Sequence, residues 1–325
     1  MCTAISFVVE DHYFGRNLDL ECSFGEMVAI TPRNYPFSFC AKETIKNHYA
    51  IIGMAHMEQG YPLYYEGTNE KGLSMAALNF PGNADYKMRQ PDKDNIAPFE
   101  LIPWILGQCA NVSEAETLLE RINVLNETYP ALRFLSPLHW MISDAKSSIV
   151  VESVKEGLKV YPNPVGVLTN NPPFDMQLFH LNNYMHLSKE VPQNKFSDAV
   201  QFDIYSRGMG ALGMPGDWSS QSRFVKAAFV KMNSVCEPSE EAAVGQFFHI
   251  LSSVEHPRGC VAIREHLHEI TIYSCCCNTN KGIYYYRTYG NSQISAIDMQ
   301  MEALDGDRVI TYPLRETENI YNQNK

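Results

Sequence analysis

The chain has no run of basic residues and no long apolar stretch, and each absence excludes a class of function. Its 325 residues include 26 lysines and arginines against 37 acidic residues, for a formal net charge of −11. Phosphate binding needs a clustered positive surface, so we expect no nucleic-acid partner. A membrane-spanning helix needs roughly 20 consecutive apolar residues. No apolar run approaches that length, so we expect no membrane insertion.

Several motifs of familiar enzymes are also missing from the sequence. There is no GxxxxGK[ST] loop, and the one GxGxxG match, Gly208 to Gly213, neither follows a predicted strand nor opens a predicted helix, as a nucleotide-phosphate loop would. There is no GxSxG turn, which carries the serine nucleophile of the α/β-hydrolases. There is no CxxC pair, which argues against a structural zinc site. Nucleotide chemistry, serine hydrolysis of that type and zinc-stabilised folding therefore find no support.

The first residues lack the features of an export signal, which are a basic region, an apolar core and a small-residue cleavage site. The nine cysteines have no regular spacing and are odd in number. Such cysteines favour free thiols in a reducing compartment over a disulfide scaffold. We therefore expect a cytoplasmic protein.

Strand-like and helical segments occur in blocks along the chain and do not alternate strictly. The predicted strands are 4–9, 27–31, 49–54, 73–78, 138–142, 148–154, 157–161, 270–276 and 283–288. The predicted helices are 98–109, 114–122, 175–187, 219–232 and 240–254. Blocks of this kind favour layered antiparallel sheets with helices outside them, an α+β protein. Because no stretch has the composition of a linker, we expect one domain over residues 1–325.

Three consecutive cysteines, Cys275 to Cys277, form the most conspicuous cluster. In a strand, alternate residues share a face, so Cys275 and Cys277 would point the same way. A metal site would need a further ligand, such as His266 or His268. The alternative is that these cysteines are small buried apolar residues beside a hairpin. We favour that alternative and expect no metal site.

Cys2 raises a different possibility. If Met1 is removed, Cys2 becomes the first residue and carries both a thiol and an α-amine. An α-amine titrates near about 8, so part of it is neutral at pH 7 and can accept the thiol proton. Arg16 and Asp19 follow on a second strand and could favour the thiolate and orient the amine. The alternative is that Cys2 only begins an apolar strand.

Eight short motifs occur in a fixed order along the chain. They are MCT (1–3), FGRNLD (14–19), NEKGL (69–73), LNFP (78–81), LHWMISD (138–144), GVLTNNP (166–172), PGD (215–217) and SRF (222–224). Together with YYY (284–286) and the segment 291–298, they resemble the choloylglycine hydrolase family. That family comprises bile salt hydrolases and penicillin V acylases. The resemblance covers nearly the whole chain.

The resemblance implies a four-layer αββα sandwich of the N-terminal nucleophile hydrolase type, with antiparallel sheets. It also implies hydrolysis of a non-peptide amide, no cofactor and a homo-oligomer, since family members are often tetramers. The implied catalytic residues are Cys2 (nucleophile and α-amine base), Arg16 (beside the thiol), Asp19 (holding the amine), Asn79 and Asn170 (oxyanion site) and Arg223 (supporting charge).

Each of these residues also has a structural alternative. Asn79 and Asn170 could be turn formers, because prolines follow both closely. Arg16 and Asp19 could form a structural ion pair, and Arg223 could be a charge on a helix surface. Six such residues at the family's positions favour the catalytic interpretation.

The identity of residue 79 bears on the substrate. In the family, this position is typically asparagine in the bile-salt branch and tends to be tyrosine in the penicillin branch. Asn79 therefore favours hydrolysis of conjugated bile acids at the C24 amide. A penicillin V or acyl-homoserine lactone acylase is the alternative, and a binding protein with an inactive site is another. The predicted substrate-binding residues are Leu18, Glu58, Phe134 and Arg207.

Arg207 leads to a prediction about the head group of the substrate. It is flanked by Gly208 and Gly210, so the backbone can bend toward a ligand. Its guanidinium suits a sulfonate or a carboxylate. We predict a modest preference for taurine, whose longer head has three oxygens.

Overall fold

The computed structural model describes residues 1–132 and 134–324. The strands are β1 (Cys2–Val8), β2 (His12–Leu20), β3 (Glu26–Thr31), β4 (Phe37–Phe39), β5 (Lys42–Ile45), β6 (Ile51–Glu58), β7 (Tyr61–Asn69), β8 (Ser74–Asn79), β9 (Asp94–Ile96), β10 (Ile122–Val124), β11 (Leu138–Ser143), β12 (Ser148–Val154), β13 (Gly157–Pro162), β14 (Val167–Leu168), β15 (Ala262–Arg264), β16 (Leu267–His268), β17 (Ile270–Asn278), β18 (Ile283–Thr288), β19 (Asn291–Asp298) and β20 (Ile310–Pro313). The α-helices are α1 (Leu101–Gln108), α2 (Val112–Leu119), α3 (Phe174–His180), α4 (Ser220–Asn233) and α5 (Glu240–Ser252).

Two large antiparallel sheets form the centre of the molecule. One has six strands in the order β14-β1-β2-β17-β18-β19, and the other has eight in the order β13-β12-β11-β8-β7-β6-β3-β20. The sheets face each other where β1 and β2 contact β8. Helices α4 and α5 cover the six-stranded sheet, and α1 covers the eight-stranded sheet. The predicted αββα sandwich with antiparallel sheets is confirmed.

Two apolar cores separate these layers. The first lies between the two sheets and beneath α4 and α5, and the second lies between the eight-stranded sheet and α1 and α2. Strand β11 supplies both, because Met141 belongs to the first core while Trp140 and Ile142 belong to the second. Side chains of a strand point alternately to its two faces. Both faces of this sheet are therefore buried.

Most predicted elements are present, but two helix ends differ from the prediction. Helix α2 ends at Leu119, and Ile122 instead begins β10, where it pairs with Asp94 of β9 in a parallel ladder. Helix α3 ends at His180 and continues as a 3₁₀ turn over Leu181–Tyr184. Apolar spacing alone does not show where a chain leaves a helix to join a sheet.

The cysteine cluster belongs to the sheet. Cys275, Cys276 and Cys277 are buried in β17, whereas the side chain of His266 is 91% exposed between β15 and β16. His266 therefore does not share a site with these thiols. Burial raises the pKa of Cys275 and Cys276 well above the usual thiol value.

In residues 1–132 and 134–324, no helix combines the length and apolar character needed to cross a bilayer.

Candidate active site

Cys2 begins the strand β1 and lies in the middle of the molecule. It pairs with Leu18 of β2 and is only 2% exposed. Arg16 precedes Leu18 by two residues and therefore projects from the same face of β2. The register of one hairpin thus brings a thiol, a guanidinium and an apolar side chain together.

These three residues line a cavity of about 370 Å³. Most of its other walls are apolar and come from β2, β7, β8, β11, the 3₁₀ turn before α1 and the segment before β11. They include Leu20, Leu63, Ala77, Phe99, Leu132, Phe134, Leu135 and Leu138. A largely apolar cavity with a few convergent polar groups is typical of a small-molecule site. The thiol therefore faces a space that suits an apolar acyl group.

Arg16 is fully buried beside this thiol. Its Nη1 donates to the backbone carbonyl oxygens of Tyr65, at 3.2 Å, and of Ala77. The same atom lies 3.9 Å from the Glu66 carboxylate, and Nη2 has no partner among the described residues. Burial lowers the pKa of Arg16. The negative charge of a Cys2 thiolate and other nearby charges raise that pKa by a larger amount, so the net shift is upward. Arg16 stays charged and can stabilise a thiolate.

Asn170 connects the predicted catalytic residues with one another. Its Oδ1 accepts hydrogen bonds from the Cys2 backbone N–H at 2.9 Å and from Arg223 Nη2 at 2.8 Å. Two donors on the oxygen fix the orientation of the amide. Its Nδ2 donates to the Asn79 carbonyl oxygen at 2.7 Å. A primary amide has a second N–H, which is free to bind another acceptor.

Arg223 lies in the first turn of α4 and is 1% exposed. Its Nη1 donates to the Cys2 carbonyl oxygen and to Thr3 Oγ1 at 2.6 Å, and its Nε donates to the Trp218 carbonyl oxygen at 3.0 Å. Burial lowers the pKa of Arg223, and the charge of nearby Asp19 opposes that effect. The side chain therefore holds the Cys2 carbonyl directly and the Cys2 nitrogen through Asn170.

Asp19 belongs to a buried cluster that also contains His256 and Glu269. Asp19 Oδ1 accepts from Thr271 Oγ1 at 2.6 Å, and its Oδ2 lies 3.8 Å from His256 Nε2. His256 Nδ1 in turn lies 3.1 Å from Glu269 Oε1. The Met1 ammonium group lies 2.9 Å from Glu269 and donates to the Asp19 carbonyl oxygen. The cluster therefore surrounds the amino terminus.

The same three side chains form a possible metal site. Their ligand atoms lie within 4.8 Å of one another. However, Arg223 lies 3.9 Å from Asp19, and the Met1 ammonium group pairs with Glu269. Burial raises the pKa of Glu269, but His256 and the terminal ammonium lower it more, so the net shift is downward. Both carboxylates thus already have cationic partners, and the cluster fits an internal ion-pair network better than a metal site.

The structure places the other five predicted catalytic residues around Cys2. Of the predicted substrate-binding residues, Leu18 and Phe134 line the cavity. Glu58 and Arg207 are not among the lining residues in the described part of the chain. Glu58 ends β6 and turns toward His56, 3.5 Å away, and Arg207 lies in an exposed segment. Their roles in substrate binding stay predictions.

Sequence reasoning missed His256 and Glu269. His256 follows α5 in a loop, and Glu269 immediately precedes β17. Neither belongs to a recognisable motif, and the sequence offers nothing that separates His256 from the other nine histidines. Only the fold brings both residues to the amino terminus.

The chain is similar to several known proteins. The sequence model of the linear amide C–N hydrolases of the choloylglycine hydrolase family matches residues 2–312. The chain is 55% identical over 321 residues to a bile salt hydrolase/transferase of Lactiplantibacillus plantarum, covering 99% of each chain. It is 38% identical over 334 residues to a bile salt hydrolase/transferase of Clostridium perfringens, covering 100% of both. A solved variant of the conjugated bile acid hydrolase of Clostridium perfringens has a TM-score of 0.91 at 37% identity, again covering 100% of both chains.

Proposed function

Because the chain belongs to the choloylglycine hydrolase family of linear amide C–N hydrolases, we propose that it hydrolyses the amide of glycine- or taurine-conjugated bile acids. The observation that carries this proposal is the position of Cys2. Cys2 lies at the wall of an apolar cavity beside Arg16, and its backbone nitrogen donates a hydrogen bond to Asn170 Oδ1. A rigid apolar acyl group would fill the cavity and present its amide carbonyl to the thiol.

The first half of the reaction transfers the acyl group to Cys2. After Met1 is removed, the Cys2 nitrogen is a free α-amine that accepts the thiol proton. The thiolate, stabilised by Arg16, forms a C–S bond with the amide carbonyl. Asn79 and Asn170 donate to the oxygen of the tetrahedral intermediate. The C–N bond then breaks, and the α-ammonium group gives its proton to the departing glycine or taurine.

The second half of the reaction releases the bile acid. The α-amine removes a proton from water, and the water oxygen attacks the thioester carbonyl. The C–S bond breaks, and the α-ammonium proton returns to the sulfur. Asp19 would hold the amine in both halves, because its Oδ2 lacks a hydrogen-bond partner in the described residues while Met1 is present. No step needs a metal or a cofactor.

The test compares taurocholate, glycocholate, penicillin V and an acyl-homoserine lactone side by side, together with the intact mass of the protein. We expect turnover of the bile salts at a much higher kcat/KM than that of penicillin V, and a mass lacking one methionine. Faster cleavage of penicillin V or of an acyl-homoserine lactone would instead establish an acylase. Binding of bile salts without turnover would establish a binding protein with an inactive site.

We also propose a homo-oligomer, such as a tetramer, of one-domain chains. Large apolar side chains are exposed along one part of the chain, and exposed patches of this kind mark association surfaces. They are Met176, Phe179, Met185, Phe196, Phe202, Ile204 and Tyr205. Light scattering after gel filtration measures the assembly.

The free cysteines agree with a cytoplasmic location, which cell fractionation tests.

A further inference from the structure

A buried histidine and glutamate lie behind the two predicted oxyanion residues. His139 of β11 and Glu152 of β12 are both fully buried. They are neighbours across the two strands, one position beyond the Trp140–Val151 pair. No catalytic role has been assigned to either residue above, yet a buried pair of this kind is costly unless its hydrogen bonds are satisfied.

Both ring nitrogens of His139 face acceptors. Nε2 lies 2.9 Å from the Thr169 carbonyl oxygen, which can only accept. Nδ1 lies 3.0 Å from Glu152 Oε1, and the same oxygen accepts from the Phe174 backbone N–H at 3.1 Å. Nε2 therefore donates to the Thr169 carbonyl oxygen, and Nδ1 shares a hydrogen bond with the Glu152 carboxyl group.

These contacts fix the backbone on both sides of Asn170. Thr169 precedes Asn170, and Phe174 begins α3 four residues after it. His139 holds Thr169 through its carbonyl oxygen, and Glu152 holds Phe174 through its backbone N–H. A short loop tied at both ends to neighbouring strands has little freedom to move its side chains.

His139 also contacts the residue that follows Asn79. Its ring stacks on Phe80 with a centroid distance of 4.4 Å and an interplanar angle of 5°. The Phe80 N–H donates to the Pro137 carbonyl oxygen at 2.7 Å, so Phe80 is held from two sides. One imidazole thus touches the neighbours of both Asn79 and Asn170.

We propose that His139 and Glu152 are positioning residues that set the distance between Asn79 and Asn170 and so form the oxyanion site. The inference rests on the proposed function for the roles of those two asparagines. A displacement near 1 Å at a catalytic group costs roughly a hundredfold in rate. Loss of this support should therefore lower kcat without removing the nucleophile.

The experiment compares His139→Gln and Glu152→Gln with His48→Gln. His48 is a matched control, because it is 4% exposed and both its ring nitrogens face backbone carbonyl oxygens, those of Tyr49 at 2.7 Å and Tyr35 at 2.9 Å. Each protein is assayed with glycocholate and with a p-nitrophenyl ester, whose cleavage also passes through an oxyanion. The rate at which iodoacetamide alkylates Cys2 is read from the mass of the N-terminal peptide. That displacement needs no oxyanion site.

We expect both site variants to lose about ten- to a hundredfold in kcat on both substrates. KM should change little, and the alkylation rate of Cys2 should stay within twofold of the wild type. His48→Gln should keep the wild-type kcat even if its melting temperature falls as far as those of the two site variants. Should His139→Gln not fold, Glu152→Gln, which keeps the contact with Thr169, decides the matter alone.

Three outcomes would overturn the inference: an unchanged kcat in the folded site variants, an equal loss in His48→Gln, or a parallel loss of alkylation. The ester separates this inference from the proposed function. A wild-type protein that cleaves the ester but no bile salt overturns the proposed function, and the ester kcat values of the variants still support or overturn the positioning role. A wild-type protein with neither activity overturns both.

Discussion

Two buried arginines flank Cys2, and their surroundings differ. Arg16 binds three backbone carbonyls, those of Asn17, Tyr65 and Ala77, and leaves Nη2 without a partner in the described residues beside the cavity it lines. Arg223 binds the Cys2 carbonyl, Thr3, Trp218 and Asn170, and it does not line that cavity in the described residues. Burial lowers the pKa of Arg223, whereas the net pKa shift of Arg16 is upward. We infer that Arg16 acts by its charge and Arg223 by its geometry.

The carboxylates behind the two arginines differ in the same way. Glu66, behind Arg16, accepts from the hydroxyls of Tyr273 at 2.7 Å and Tyr284 at 2.6 Å. Asp19, near Arg223, has one oxygen on Thr271 and one without a hydrogen-bond partner in the described region. The Arg16 side is closed to further ligands at its carboxylate. The Asp19 oxygen without a hydrogen-bond partner in the described residues would suit the α-amine proposed for the mature protein.

The largest expected effect is at the residue on which both arginines act. Cys2→Ala should lower hydrolysis by roughly 10⁴-fold or more, because no other group can form the thioester. Cys2→Ser should lose nearly as much, since a hydroxyl stays protonated beside a weak base. Rates of glycocholate cleavage and circular dichroism measure activity and folding. Substantial turnover by folded Cys2→Ala would show that another group performs the reaction.

Lysine substitutions sharpen the comparison of the two arginines. Lysine keeps a charge but loses the planar fork of donors. Arg223→Lys should therefore lose about ten- to a hundredfold in kcat, with a lower melting temperature, because several acceptors are left unpaired. Arg16→Lys should lose less, since the charge remains. The measurements are kcat and melting temperature for both variants, and equal losses would remove the distinction.

Much of this site could be predicted from the sequence, because its residues lie in or beside short, ordered motifs. Cys2, Arg16 and Asp19 belong to one hairpin, so strand pairing alone brings them together. The roles of His256 and Glu269 could not be predicted, because these residues reach Asp19 only through contacts between distant segments. His139 and Glu152 face each other across one hairpin, but their contacts with Thr169, Phe174 and Phe80 appear only in the fold. The absence of Glu58 from the cavity lining in the described residues has a local cause. Side-chain direction at the end of β6 depends on its neighbour His56, which the sequence does not reveal.

A smaller effect concerns pH and the carboxylate behind Arg16. Burial raises the pKa of Glu66 above its usual value of 4.5, although Arg16 and two tyrosines oppose this. The folded state therefore binds the proton of the Glu66 carboxyl group more tightly than the unfolded state does. The stability that this protonated group contributes is lost as the pH rises above about 4.5. Glu66→Gln removes that dependence. Relative to the variant, the wild-type melting temperature should fall between pH 4 and 7, and parallel curves would contradict this.

The smallest expected effect is at a third arginine, Arg207, which is exposed and outside the cavity lining of the described chain. An exposed charge interacts weakly with a ligand, by about 0.2–1 kcal/mol. If it reaches the head group, Arg207→Gly should lower the ratio of kcat/KM for taurocholate over glycocholate by at most about fivefold. Arg264→Gly, at an exposed position in β15, is the matched control. An equal ratio in all three proteins would confine head-group choice to the residues around Cys2. A shift in Arg207→Gly alone would extend the substrate site beyond the two buried arginines.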